Sequence, residues 1–594
     1  MRTKLTLGFT FALLCFALQA QYIIKDGSEL LNLTKLPQEK AYVDHTGPLL
    51  FSGEYLYYSF YCFNAQTNKR TDISKIGYVA LVNESKSYVF EHKLKLDKGL
   101  GQGDFFITTA VPSGKYKLLG YTQWMKNNGL SQVFKDDIVI INPYMVDQSS
   151  LLKENVIDTA AKVLPQSLKT TIDSSTIAVR SNKAIYNPRE KVNLSIKNYK
   201  GYLGDGAYSV KVKRLDDINA QPAMSAMSYG TSYFNTDKKI SKQIGDSLFL
   251  PEQRGELIFG SLKDVLTNEP VQEVPVVISI PGKEFLLKFS QTDQNGNFYS
   301  YLRKDYKNAV AIVQVEDEAA QYRIEKGKRA KLNVDNLTFA SFTLSKDHAK
   351  KIKSRSILNQ IENQFFSAKP DSILQGDPID PFDGGLPEVV VLDDYTRFAT
   401  FEETLTEVVK FSGYRSGGQE NDYIKVAQDF ETYNEEFNSF PAIVLIDGVY
   451  IPNHEKIKQF DARKIEKISL IRDQFRLGGK DYQGIVAVET FEGDFLEGYT
   501  NVNTTIVTLD KPLPKKNYYT QTYTENEDSF SRIPDYRSLL FWKPHVIIDG
   551  NGGYDFEFFT SDIEGEYEVI LNGFTSYGKP ITIKKVFSVT NMAQ

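Results

Sequence analysis

Five histidines, His45, His92, His348, His454 and His545, are the first residues here that could bind a metal or shuttle a proton. No two stand at the four-residue spacing of a zinc-binding helix, and no His-Glu-x-x-His run occurs. No Gly-x-Ser-x-Gly elbow presents a serine nucleophile. Cys62 lies inside the run YLYYSFYCF, where a buried thiol is expected and not a reactive one. Gly99, Gly101 and Gly103 in KGLGQGDFF are spaced like a phosphate loop, but the strand-like FFIT follows them, so a hairpin turn is expected. In TDQNGNFY, Asp293, Asn295 and Asn297 alternate as in a calcium loop. The twelfth position is Lys304, which removes the bidentate carboxylate, and an Asn-Gly hairpin turn is expected instead. Glu402 and Glu403, like Asp393 and Asp394, are sequence neighbours and do not face each other, so they read as solvated faces. The residues therefore point to no enzyme, no cofactor, and no catalytic, cofactor-binding or metal-binding side chains.

The elements around these residues are mainly β. At 594 residues the chain is long enough for roughly three to five domains. Its 35 Tyr and 38 Phe favour pleated, half-buried surfaces. The net charge of −5 gives no basic footprint for nucleic acid. The first residues, MRTKLTLGFTFALLCFALQAQ, combine a basic start, an apolar run and a small Ala20, which reads as a secretory signal peptide cleaved between Ala20 and Gln21. Leu14 before Cys15 argues against a lipoprotein signal. Cleavage leaves Cys62 as the single cysteine, so no internal disulfide is expected. No later segment approaches about 18 continuous apolar residues.

Short Tyr-, Val- and Leu-rich runs, GEYLYYSFYCF, GYVALV and GKYKLLGYT, predict a sandwich over 21–148. Together with the closing GYTQWMKN (Gly120 to Asn127), this stretch resembles the macroglobulin-type (MG2-like) sandwich of exported Bacteroidetes proteins related to α2-macroglobulin. The cysteine–glutamine thioester motif of covalent protease traps is absent. After a Ser/Thr/Lys-rich connector, a second macroglobulin-like sandwich is expected over 176–250, opening on Tyr186-x-Pro188 with Val192, Leu194 and Ile196 on one face. RGELIFGSLKDVLTNEPVQEVPVVISIPG opens a stretch, 254–345, that resembles a carboxypeptidase-regulatory-like sandwich. Helical spacing of Ile352, Leu358, Ile361 and Phe365 predicts a helix within a helix-and-linker segment, 346–385.

Over 386–495, the strand EVVVL, the capping box Thr400–Glu403, the strand AIVLI with its Asp447-Gly448 turn, a helix-like ARKIEKISLIRD and the strand GIVAVET follow one another. This order resembles the plug of a TonB-dependent receptor. The residues after Thr490 fall short of the roughly ten per strand that a plugged barrel of about 22 strands requires, so a plug-like domain without a barrel is expected. A final immunoglobulin-like sandwich is expected over 496–594. The fold class is thus tandem immunoglobulin/macroglobulin-like β-sandwiches plus one α+β plug-like domain.

These resemblances imply a non-enzymatic accessory protein that binds an integral outer-membrane protein or a TonB-dependent transporter-like complex of transport, secretion or assembly. The partner contact is expected at Asp447, Gly448, Gly484 and Ile485. Alternatives are a surface adhesin or glycan-binding protein, and a non-covalent protease inhibitor of the macroglobulin type. Thr159, Ser247 and Ser372 follow Asp and precede an apolar residue, a pattern that resembles Bacteroidetes O-glycosylation acceptors. The periplasm at the outer membrane is the favoured location, with the cell surface as the alternative. The ending EGEYEVILNGFTSYGKPITIKKVFSV also resembles a C-terminal sorting sandwich of surface-secreted proteins.

Overall fold

The structure, a computed structural model, describes residues 22–24, 26–152, 174, 176–215, 218, 220–234, 242–318, 320–376, 379–418, 421–499, 502–523, 533–550 and 552–591. Ala20, Gln21 and Thr159 lie outside them. The fold is mainly β and divides into two compact units. The larger unit holds residues 22–256, 332–377 and 510–594, and the smaller holds 257–331 and 378–509.

In the larger unit, Glu39–His45, Tyr55–Asn64 and Leu100–Phe106 form one sheet. Leu49–Phe51, Phe134–Ile141, Gly114–Tyr121, Ile76–Asn83 and Tyr88–Lys95 form another. Both sheets supply residues to one apolar core, including Tyr42, Phe60, Val79 and Leu119, as the alternating pattern predicts. Cys62 is fully buried in that core, and burial raises its thiol pKa well above the usual range. Beside it Glu39, also buried, accepts hydrogen bonds from Ser74 Oγ (2.6 Å) and Thr122 Oγ1 (2.7 Å). Burial raises the Glu39 pKa. Thr122 thus fixes the GYTQWMKN segment to the first strand, while Trp124 Nε1 donates to the Pro37 carbonyl at 3.0 Å.

The predicted second and final sandwiches are one sandwich. Lys191–Asn198 pairs with Ile177–Ser181 on one side and with Gly553–Phe559 on the other. Gly206–Arg214 lies between Leu539–Ile548 and Gly565–Thr575 in a five-stranded sheet completed by Pro580–Val589 and Ile185–Tyr186. Val192, Leu194 and Ile196 do share a buried face, and they meet Phe558, Val569 and Ile583 there. Alternation specifies which face is buried but not which strand lies alongside.

Other boundaries shift for the same reason. Leu332, Val334 and Leu337 pack into the first sandwich's core, so the larger unit reclaims the chain before 345. The predicted helix spans His348–Gln364. Its expected apolar residues Ile352, Leu358, Ile361 and Phe365 are only half-buried. A polar row fastens it instead: Arg355 forks onto Glu54 at 2.7 and 2.8 Å, Asn359 donates to Glu54 at 2.9 Å, and Asn363 donates to the Gly53 carbonyl at 2.9 Å. Spacing of four places these three on one helix face.

In the smaller unit, Asn297–Leu302, Glu256–Asp264 and Tyr322–Lys326 face Leu286–Gln291, Pro275–Ile280, Val310–Val315 and Thr504–Thr508 across one core. Thr504–Thr508 therefore completes this small sandwich and does not open a final one. The Asp293–Gly296 turn carries the chain between the two sheets, so it joins strands that do not pair as a hairpin. Asp293 Oδ1 accepts the Asn295 and Asn297 N–H groups, each at 2.9 Å. The remaining sheet runs in the order Glu388–Val391, Ile465–Leu477, Lys480–Thr490, Ile443–Ile446, Val449–Tyr450. The segment IEKISLIRD, expected to be helix-like, is strand after a single tight turn at Ala462–Lys464. No helix among the described residues is long and apolar enough to cross a membrane.

Candidate docking edge and the predicted contact residues

The five-stranded sheet is buried on both faces at its centre. Val444 and Ile446 point to a core with Phe401, Leu405 and Val488, whereas Ile443 and Leu445 point to a second core with Val277 and Phe285 of the small sandwich. Burial of alternate residues on both sides explains why AIVLI reads as a continuous apolar run. The helix Phe401–Glu407 covers the first face, and its capping box is formed as predicted: Thr400 Oγ1 accepts the Glu403 N–H and Glu403 accepts the Thr400 N–H. On the second face Glu316 accepts hydrogen bonds from the Tyr450 and Tyr482 hydroxyls and pairs with Lys480. These contacts keep its carboxyl pKa below the usual value despite burial.

This enclosure corrects the expected contact residues. Asp447 is 7% exposed and Ile485 8%, and Gly448 and Gly484 are buried as well. Asp447 and Gly448 form the tight turn between Ile443–Ile446 and Val449–Tyr450, with φ of 49° and 80°. Positive φ at both central residues is what an Asp-Gly hairpin turn needs. A Cβ on Gly448 would lie 2.5 Å from Phe285 Cβ. Gly484, at φ 85°, sits where two residues of Ile465–Leu477 oppose one, and its α-carbon packs against Val426. The four residues are buried in the sheet and its turns.

The exposed part is the sheet's edge. Glu388–Val391 pairs only with Ile465–Leu477 among the described residues, which leaves its outer backbone groups without a strand partner. Val390 packs inward, while Val389 is 52% and Val391 40% exposed, and Leu386 just before them is 92% exposed. Beside the strand, Arg472 lies 4.0 Å over the half-exposed Phe411 ring and 3.4 Å from Glu388. The sequence signal was present in EVVVL, but a valine run does not reveal whether both of its edges are paired.

The other predicted residues are scattered. His45 bonds Asp136 at 2.9 Å, His92 bonds the Tyr58 hydroxyl at 2.7 Å, and His454 Nδ1 accepts the Ile424 N–H at 2.9 Å. Burial lowers the pKa of His92 and His454 to about 4 and of His545 to about 3. No group of three or more His, Cys, Asp or Glu is placed to hold a metal among the described residues. Tyr42, Tyr58, Tyr61, Tyr121 and Tyr208 are fully buried in the sandwich cores, whereas Tyr199, Tyr202 and Phe430 are exposed. Ser372 is exposed, whereas Ser247 is half-buried in a short strand paired with Ile23.

No family model matches the chain. No curated protein matches it either. Among solved structures it is similar to Salmonella alpha-2-macroglobulin reacted with methylamine, at 8% identity and a TM-score of 0.23 over 97% of this chain and 40% of that one. It is also similar to Escherichia coli alpha-2-macroglobulin activated by porcine elastase, at 7% identity and 0.23 over 93% and 44%. For the Yersinia pseudotuberculosis adhesin InvE the values are 10% and 0.12 over 48% and 58%. The chain spans about two fifths of the length of the Salmonella macroglobulin. Scores this low carry no argument for function, and the sandwich architecture rests on the strand pairing itself.

Proposed function

We propose that this chain is a non-enzymatic accessory protein of the cell envelope, exported to the periplasmic side of the outer membrane. It docks there on an integral outer-membrane protein of a transport, secretion or assembly complex. The observation that supports this reading is the open edge at Glu388–Val391, with Val389 and Val391 exposed. An uncovered edge strand is a template for pairing; Pro387 and Glu388 stand at the start of this one, and Val389 to Val391 carry no charge. A partner segment adding a strand would satisfy the outer backbone groups, with the valines supplying side-chain contact.

The test is affinity purification of the tagged chain from detergent-solubilised envelopes, beside a Val389→Lys/Val391→Lys variant. A β-barrel outer-membrane protein identified by mass spectrometry should co-purify with the unaltered chain and be lost with the variant at unchanged melting temperature. Recovery of no integral outer-membrane protein would sink the reading.

A further inference from the structure

The larger unit contains a cleft of about 560 Å³ that the docking reading does not use. It opens between the first sandwich, the composite sandwich and the helix His348–Gln364. Its volume lies in the range of small-ligand sites. Nine lysine and arginine side chains line it against four aspartates and glutamates, in a chain whose net charge is −5. On the composite sheet a cross-strand row runs Trp542, Lys211, Ile570, Lys584, so cationic and apolar side chains alternate on one wall. Leu358 and the exposed Phe366 add apolar surface from the helix and the turn after it.

The acidic side chains of the cleft are already engaged. Glu54 is held by Arg355, Glu362 by Lys369, Glu568 lies 3.5 Å from Lys584, and Asp371 accepts the Tyr519 N–H at 2.9 Å and lies 3.8 Å from Lys516. Lys211 and Arg537 are neutralised from behind the wall by Asp44 and Asp535. The spare capacity consists of donors. Trp542 is 4% exposed and its indole N–H has no acceptor, and Arg214 Nε is likewise buried without a partner. Lys350 makes no ion pair among the described residues. Lys350 and Lys351 also stand in the first turn of a 17-residue helix whose N-cap residue, Asp347, makes no side-chain cap hydrogen bond. The helix dipole disfavours cations at that end, so their presence adds to the positive potential and does not offset it.

We infer that this cleft binds an amphipathic carboxylate, its apolar body against Leu358, Phe366 and Trp542 and its acidic head between Arg214 and Lys350. The same chemistry is offered by a free long-chain dicarboxylic acid and by an acidic, leucine-bearing peptide segment. The inference does not rest on the docking edge, which belongs to the other unit.

Isothermal titration calorimetry of the full chain tests it with dodecanedioic acid, its diamide, a hexapeptide alternating glutamate and leucine, and inorganic phosphate. Binding of the diacid or the peptide is expected, weakening as salt rises. Lys350→Glu should weaken that binding about tenfold, while Lys353→Glu, on the same helix but outside the cleft, should leave it unchanged. Arg214→Gln provides a second variant, checked for an unchanged melting temperature. Binding of the peptide alone would assign the site to a partner's acidic segment, and binding of the diacid alone to a free organic acid. The inference is overturned if neither acid binds. It is equally overturned if the diamide or phosphate binds as tightly, or if Lys353→Glu weakens binding as much as Lys350→Glu does.

Discussion

Asp447 and Thr490 are joined twice: Asp447 Oδ1 accepts the Thr490 N–H at 2.8 Å and Oδ2 accepts the Thr490 hydroxyl at 2.6 Å. The same carboxylate also accepts the Phe495 N–H at 3.2 Å. One side chain therefore ties the turn after Ile443–Ile446 to the end of the neighbouring strand Lys480–Thr490 and to the segment beyond it. Asp447→Asn keeps the turn geometry and removes the charged acceptor. It should lower the stability of the smaller unit by about 2 kcal/mol, since hydrogen bonds to charged groups are worth roughly 1.5–3 kcal/mol. Urea denaturation measures this, and a change within error would show that the double contact is incidental.

Gly448 and Gly479 have nearly equal φ, 80° and 82°, but differ in surroundings. A Cβ at Gly479 meets nothing within 4 Å, whereas one at Gly448 meets Phe285 Cβ at 2.5 Å. Gly479→Ala should cost about 1–2 kcal/mol, the penalty for a side chain in the left-handed region. Gly448→Ala should cost at least about 1 kcal/mol more, because overpacking adds to that penalty. Equal melting temperatures for the two variants would contradict the packing seen here.

Arg355 and Glu54 form the fork that fastens the helix His348–Gln364 to the first sandwich. The pair is mostly buried, so removing one partner strands the other. Arg355→Met and Glu54→Gln should each be destabilising, and the double variant less so than their sum. A coupling energy of about 1–2 kcal/mol in a double-mutant cycle is expected. Strict additivity would mean that the helix is held by its apolar contacts alone.

His454 and His545 are kept neutral by burial, with pKa values of about 4 and about 3. Unfolded histidine titrates near pH 6.5. The folded pKa lies below the unfolded one, so the folded chain binds fewer protons in that interval. The stability contribution is complete above about pH 6.5 and is lost as pH falls towards the folded value. Each histidine should add a slope of about 1.4 kcal/mol per pH unit to the unfolding free energy there. Denaturation of the smaller unit between pH 7 and 4.5 should show a shallower acid decline in His454→Gln. Parallel profiles would refute the assignment.

Local features were legible in the sequence because they are set by a few neighbouring residues. The Thr400–Glu403 capping box, the Asp447-Gly448 turn, the alternation of Val192, Leu194 and Ile196 and the burial of Cys62 all needed only short-range chemistry. IEKISLIRD was misread because a short apolar run fits a helix face and a strand alike until its neighbours are known. The expected contact residues are enclosed because the plug-like segment packs against the small sandwich through Val277 and Phe285.

What the sequence by itself determined is therefore the kind of element at each place and the face it buries. The tertiary structure alone decided the pairing of Lys191–Asn198 with Gly553–Phe559, and the joining of Thr504–Thr508 to the small sandwich. It also decided which edge stayed open at Glu388–Val391 and which donors were left in the cationic cleft. The physical reason is that backbone hydrogen bonds across a sheet are the same for every sequence. A strand's partner is selected by the fit of side chains far apart in the chain, which exists only once the sheets have assembled.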